Sequence, residues 1–117
     1  MYKRHVIGKI GEELATKYLQ ENDYIILARN FSCRQGEIDI IAKLKNEIVF
    51  VEVKTRTNCK YGKPAEAVNS IKQKHIRKTA EYFMLKNNIS NNNFIRLDVI
   101  EVYIKDYKYK INHIKRM

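Results

Sequence analysis

Apolar residues recur along this chain with two different periods. Ile7, Gly11, Leu14, Ala15, Tyr18 and Leu19 fall three and four apart, the spacing of one face of an α-helix, and Asn22-Asp23 interrupt it, so residues 7–21 are expected to form an amphipathic helix. After that the period drops to two. Residues 24–28, 37–43 and 47–54 are rich in Ile, Val and Phe, are bounded by Asn30, Gly36 and Lys45-Asn46, and read as three strands. The third contains Ile48-Val49-Phe50-Val51, apolar on both faces, as in a sheet covered on both sides. A loop with Gly62 and the sole proline, Pro64, follows. Residues 66–87 then read as a second helix, 87–93 as a polar turn, and 94–104 and 107–114 as two final strands. The order α-β-β-β-α-β-β predicts an α/β fold, a mixed central sheet flanked by helices, in a single domain spanning 1–117.

The second and third strands carry the chemistry. If Lys45-Asn46 are the central residues of their turn, opposed residues sum to about 91, and Asp39 faces Glu52. Two like charges so placed destabilise a sheet, and a divalent cation would offset the cost, since carboxylate oxygens with a backbone carbonyl and waters suit Mg²⁺. Lys54, two residues beyond Glu52, projects from the same face. On the first helix, at about 100° per residue, Glu12 borders the apolar arc whereas Glu13 looks outward, so Glu12 is the acid expected to reach the sheet. On the second helix Lys72 falls near the apolar arc and aims at the sheet or its rim, while Lys74, Arg77 and Lys78 point to solvent.

The charge balance narrows the function. Lys and Arg number 23 against 13 Asp and Glu, a net charge of +10, which asks for a polyanionic partner, nucleic acid before an acidic membrane surface. The longest purely apolar run, 24–28, is far short of the ~20 residues that cross a bilayer, and the basic N-terminus leads into no apolar secretion segment, so a cytoplasmic protein without membrane association is expected. Cys33 and Cys59 form no C-x-x-C, and His5, His75 and His113 are scattered, which signals neither a disulfide framework nor a zinc site. Between Lys54 and Lys78 eight basic residues, Lys54, Arg56, Lys60, Lys63, Lys72, Lys74, Arg77 and Lys78, stand against the single acid Glu66, a candidate phosphate track that starts at the proposed site. Tyr107-Lys108-Tyr109-Lys110 adds a basic-aromatic alternation whose tyrosines, on a strand, are expected to pack.

Three segments, Gly8-Lys9-Ile10-Gly11-Glu12 with Leu14-Ala15 and Tyr18-Leu19, Gly36-Glu37-Ile38-Asp39-Ile40-Ile41-Ala42, and Val49-Phe50-Val51-Glu52-Val53-Lys54-Thr55-Arg56, resemble the YraN-like family of bacterial proteins in order and spacing. Gly62, Ala67-Val68, Lys72 with Ile76, and Arg96-Leu97-Asp98-Val99 extend the resemblance to about Val102. That family is similar in turn to the restriction-endonuclease-like PD-(D/E)xK nucleases, archaeal Holliday junction resolvases among them, whose core is αβββαβ. The resemblance implies that Asp39 and Glu52 are metal-binding acids, Lys54 the motif lysine and Glu12 the helix glutamate of the resolvase-like branch. Ile38 stands where the nuclease motif has proline, the usual glycine after the first helix is replaced around Asn22-Asp23, and residues 112–117 show little family pattern.

The expected function is metal-dependent hydrolysis of phosphodiester bonds in DNA, with branched DNA and repair intermediates among the substrates implied. Asp39, Glu52 and Glu12 would hold Mg²⁺ or Mn²⁺, Lys54 would complete the catalytic set, and Arg56, Lys60, Lys63, Lys72, Lys74, Arg77 and Lys78 would contact nucleic acid. Analogy with junction resolvases suggests a homodimer. The alternative is a non-catalytic nucleic-acid-binding module with a nuclease-like fold, against which the paired acids argue, because negative charge beside phosphate weakens binding.

Overall fold

A computed structural model describes residues 4–57, 70–89 and 94–116. The elements are α1 (Arg4–Glu21), β1 (Ile25–Cys33), β2 (Gly36–Leu44), β3 (Glu47–Arg56), α2 (Ser70–Lys86), β4 (Phe94–Lys105) and β5 (Lys108–Arg116). The five strands form one mixed sheet in the order β1-β2-β3-β4-β5. β3 and β4 are parallel, the other neighbours antiparallel. The first six elements run α-β-β-β-α-β, the expected core, and β5 adds an edge strand.

Side-chain alternation gives the sheet two apolar faces, each covered by one helix. Ala15 and Leu19 of α1 pack with Ile40, Ala42, Val49, Val51, Ile100 and Val102. Ile76, Ala80, Phe83 and Met84 of α2 pack with Ile41, Ile48, Phe50 and Val99 on the other face. β3 supplies residues to both, which explains its unbroken apolar run.

Both helices end without glycine. Tyr24 N–H donates to the Leu19 carbonyl at 2.9 Å and Asp23 N–H to that of Gln20 at 3.2 Å, with Asp23 at φ 71°. Ile89, Asn88, Met84 and Leu85 repeat the arrangement after α2, with Asn88 at φ 55°. Asp and Asn tolerate the left-handed conformation that this cap requires, so the missing glycine leaves the cap intact.

Two expectations need correction. β1 does not stop at Ala28 but pairs with β2 as far as Cys33, because Asn30 at φ 51° kinks the strand instead of ending it. The hairpin tyrosines do not pack. Asp106 and Tyr107, at φ 50° and 65°, are the central residues of a two-residue turn closed by Lys105 and Lys108, and Tyr107 and Tyr109 are 106% and 49% exposed. Lys60 and Lys63, and the start of the second helix expected at residue 66, lie outside the described residues.

Candidate active site

The β2–β3 turn places the two strand acids. Ile40 pairs with Val51, Ile41 with Phe50, Ala42 with Val49, Lys43 with Ile48 and Leu44 with Glu47, so every pair follows the expected register. The ladder ends at Ile40 and Val51, one step short of Asp39 and Glu52, so those two are not a paired rung. Instead the backbone N–H of Val53 donates to Oδ2 of Asp39 at 2.7 Å. The carboxylate takes the place of a ladder partner at the point where the strands part.

The cause is a distortion shared by β1 and β2. Ile38 and Ile41, three apart, both pack on the α2 face, as do Ala28 and Phe31 on β1. Alternation therefore inverts at Asn30 and at Asp39, the opposed pair missing from the ladder between Arg29↔Ile40 and Phe31↔Ile38, and β1 inverts a second time at the bulge between Ile26 and Ala28, which pack on opposite faces. Asp39 thus occupies an irregular backbone position that two-residue periodicity does not reveal.

Glu52 and Lys54 continue the α2-facing positions of β3, and α2 brings Lys72 to them. Nζ of Lys72 lies 2.6 Å and Nζ of Lys54 3.3 Å from the same oxygen, Oε1 of Glu52. The expectation that Lys72 aims at the sheet holds, and Lys74, Arg77 and Lys78 are exposed on the outer face of α2. Arg56, at the end of β3, is half-buried.

Glu12 comes from the opposite layer. α1 presses against β3 at Gly11, where a Cβ would stand 1.9 Å from Oγ1 and 2.9 Å from Cβ of Thr55, so only glycine fits. This contact, one residue beyond Lys54, sets the half-buried Glu12 within electrostatic range of Asp39. Glu13 is exposed and pairs with Arg29 at 2.7 Å, as the helical wheel indicated.

These positions have electrostatic consequences. The Asp39 carboxyl is pushed up to about 7, first by burial and then by the charge of Glu52, with Glu12 and Glu37 adding to it and the Val53 hydrogen bond opposing. Burial and the neighbouring Lys72 lower the Lys54 amine, outweighing the pull of Glu52. Burial acts to lower Lys72 too, but its hydrogen bond to Glu52 and that carboxylate's charge prevail and raise it.

Asp39 and Glu52 offer hard oxygen donors from adjacent strands. Among the described residues no three His, Cys, Asp or Glu side chains form a ready-made metal cage. That donor set still suits Mg²⁺, which is commonly bound through one or two carboxylates with waters and substrate phosphate supplying the rest. Asp39, with acidic neighbours raising the cost of its ionisation, is a group that a cation would stabilise.

Residues 11–102 match the model of a family described as "Uncharacterised protein family UPF0102". The chain belongs to this family. It is 51% identical to a UPF0102 protein of Clostridium botulinum strain 657 over 111 residues, 93% of this chain and 90% of the relative. A UPF0102 protein of Alkaliphilus oremlandii is 51% identical over 110 residues, 93% of this chain and 94% of the relative. One from Caldicellulosiruptor saccharolyticus is 49% identical over 117 residues, 98% of each chain. The family match takes in Glu12, Asp39, Glu52, Lys54 and Lys72 but stops before β5.

Beyond that limit lies His113, which joins Tyr18, Tyr24, Glu47, Arg96 and Asp98 in a polar network that sequence reasoning missed. Asp98 of β4, buried, accepts from Nε and Nη2 of Arg96, both at 2.9 Å, and its Oδ2 lies 2.6 Å from Nε2 of His113 on β5. Nδ1 of His113 lies 3.0 Å from the Tyr18 hydroxyl of α1. Arg96 donates also to the Tyr24 hydroxyl at 2.7 Å and to Glu47 at 3.0 Å. The network locks β5 and α1 to the sheet. Its one sequence signal is the pair Arg96 and Asp98, two apart in an otherwise apolar strand and hence on one face.

Proposed function

We propose that this protein is a metal-dependent nuclease that hydrolyses phosphodiester bonds in DNA. The observation that carries this reading is the half-buried Asp39 carboxyl, raised to about 7 beside Glu52, whose own carboxylate holds the amines of Lys54 and Lys72, in a chain of net charge +10. Paired acids are costly beside phosphate and contribute nothing to binding it, but they are what a divalent cation needs.

Asp39 and Glu52 would hold Mg²⁺ or Mn²⁺, whose chemistry there would be Lewis-acid polarisation of the phosphate and acidification of an attacking water. Asp39 must first release its proton, which burial and its acidic neighbours oppose, so metal binding and ionisation of Asp39 are coupled. Lys72 holds the Glu52 carboxylate at 2.6 Å. Lys54, the amine that its surroundings make less basic, is placed to orient the attacking water and to counter the charge that builds on phosphate oxygens. Glu12 adds a third acid from the far side of the strand gap. Arg56, Lys74, Arg77 and Lys78 extend a positive surface from the site along α2.

A second reading, binding without turnover, draws on one observation: Oε1 of Glu52 is engaged by two ammonium groups. The two readings separate when the purified protein is incubated with linear, single-stranded and branched DNA, with and without Mn²⁺, and scored for both binding and cleavage. Metal-dependent cutting supports the nuclease; binding unaccompanied by cutting supports the module.

A further inference from the structure

The β4–β5 hairpin ends next to the candidate site without entering it. Parallel pairing sets Lys54 beside Glu101 and Arg56 beside Tyr103, and antiparallel pairing sets Tyr103 beside Lys110 and Lys105 beside Lys108. Paired residues share a face, so Arg56, Tyr103 and Lys110 form a row across three strands on the face that carries Glu52 and Lys54. Lys105 and Lys108 form the next row, about 7 Å further along the strands. A basic and aromatic ramp therefore starts one row past Lys54 and runs to the hairpin tip.

The tip itself is costly to maintain. Tyr107 is fully exposed at φ 65°, a conformation that suits Gly or Asn in such a turn and disfavours a bulky side chain. Tyr109 is also exposed but, paired with Ile104, belongs to the α1-facing side of the hairpin, and a shallow hollow of about 320 Å³ is lined by Tyr103, Lys105, Asp106, Lys108, Tyr109 and Lys110. Three lysines face one acid here, so the surface complements a polyanion. Exposed tyrosine rings add nothing to phosphate binding, but they stack on nucleobases whose faces are open, as they are in single strands and not in a duplex.

We propose that this hairpin is a stacking arm that holds unpaired nucleotides of single-stranded DNA beside the cleaved phosphodiester. The position of that phosphodiester rests on the nuclease reading of Asp39, Glu52 and Lys54; the binding of single strands by the arm does not. The substrate class thus becomes DNA with a single-stranded segment adjoining the scissile bond.

The test is fluorescence anisotropy with a labelled oligothymidylate and with a duplex of equal length, in EDTA so that no cleavage intervenes. Tyr107→Asn removes the ring while suiting the positive φ, and Tyr109→Thr removes it while keeping a strand-forming residue; melting temperatures verify that both variants fold. Tyr107→Asn is expected to weaken oligothymidylate binding on the order of tenfold and to leave duplex binding within about twofold, and Tyr109→Thr, on the other face, to leave both within about twofold. Tyr107→Phe is expected to bind like wild type. A Tyr107→Asn variant that binds oligothymidylate as wild type does, equal losses on single strand and duplex, or no binding of oligothymidylate by the wild type would each overturn the arm. Cleavage by Asp39→Asn, assayed separately with Mn²⁺, judges the nuclease reading by a different readout.

Discussion

Asp39 is the residue at which fold and chemistry conflict most. Its carboxyl stands at about 7 in the folded protein against 3.8 for an unperturbed aspartate, so the folded state holds its proton more tightly than the unfolded chain does. Below about pH 4 both states are protonated and the group contributes nothing. As pH rises towards 7 the unfolded chain ionises first, and stability falls, by roughly 2–4 kcal/mol once pH exceeds the folded value. Asp39→Asn keeps an acceptor for Val53 and removes the ionisation. The variant should therefore be more stable than wild type in EDTA at pH 8 and no more stable at pH 4, as read by urea unfolding. A wild-type advantage at pH 8 would contradict the assignment. Because metal ligands must be deprotonated, Mn²⁺ affinity of the wild type should rise through the same pH range.

Between elements, two contacts hold the site in place. Gly11 lets α1 rest on Thr55, and rotating the threonine gives no relief, since a Cβ would also stand 2.9 and 3.0 Å from its Cβ and Cγ2. Gly11→Ala should cost about 1–3 kcal/mol through overpacking despite its better helix propensity, a shift that thermal unfolding measures. Asp98→Ala removes the bidentate partner of the buried Arg96 guanidinium, which keeps only Glu47 and the Tyr24 hydroxyl, and the partner of His113, and should cost about 3–5 kcal/mol in urea unfolding. These elements were unequally legible. The order of helices and strands and the β2–β3 register follow from periodicity and one turn, because a strand with a buried face tolerates no slip. Glu12, Glu52, Lys54 and Lys72 follow from the same geometry. The inversion at Asn30 and Asp39 does not, since a local left-handed residue leaves the apolar pattern almost unchanged on either side. Nor does the role of His113, whose partners Asp98 and Tyr18 come from elements 15 and 95 positions away. Tyr107 escapes the expected packing because it is a turn residue and not the first of the strand, and Tyr109 because it lies on the edge strand one residue from the turn.

At the scale of the molecule, the five-stranded αβββαββ arrangement places acids at one end of a sheet in a strongly basic chain, and no helix among the described residues is long and apolar enough to cross a membrane. If the basic residues around that end track a nucleic-acid backbone, affinity for DNA should fall on the order of 10³-fold between about 50 and 200 mM salt, for about six neutralised phosphates. A flat salt dependence, measured by anisotropy, would exclude that surface. The central claim is that Asp39, Glu52 and Lys54 cleave a phosphodiester with a divalent cation. It is tested most directly by the single-turnover rate of DNA cleavage in Mn²⁺ by wild type, Asp39→Asn and Lys54→Met, with EDTA as the blank. The account predicts cleavage by the wild type in Mn²⁺ alone and a loss of about 10²-fold or more in either variant; cleavage that persists at the wild-type rate in both variants, or none by the wild type, would contradict it.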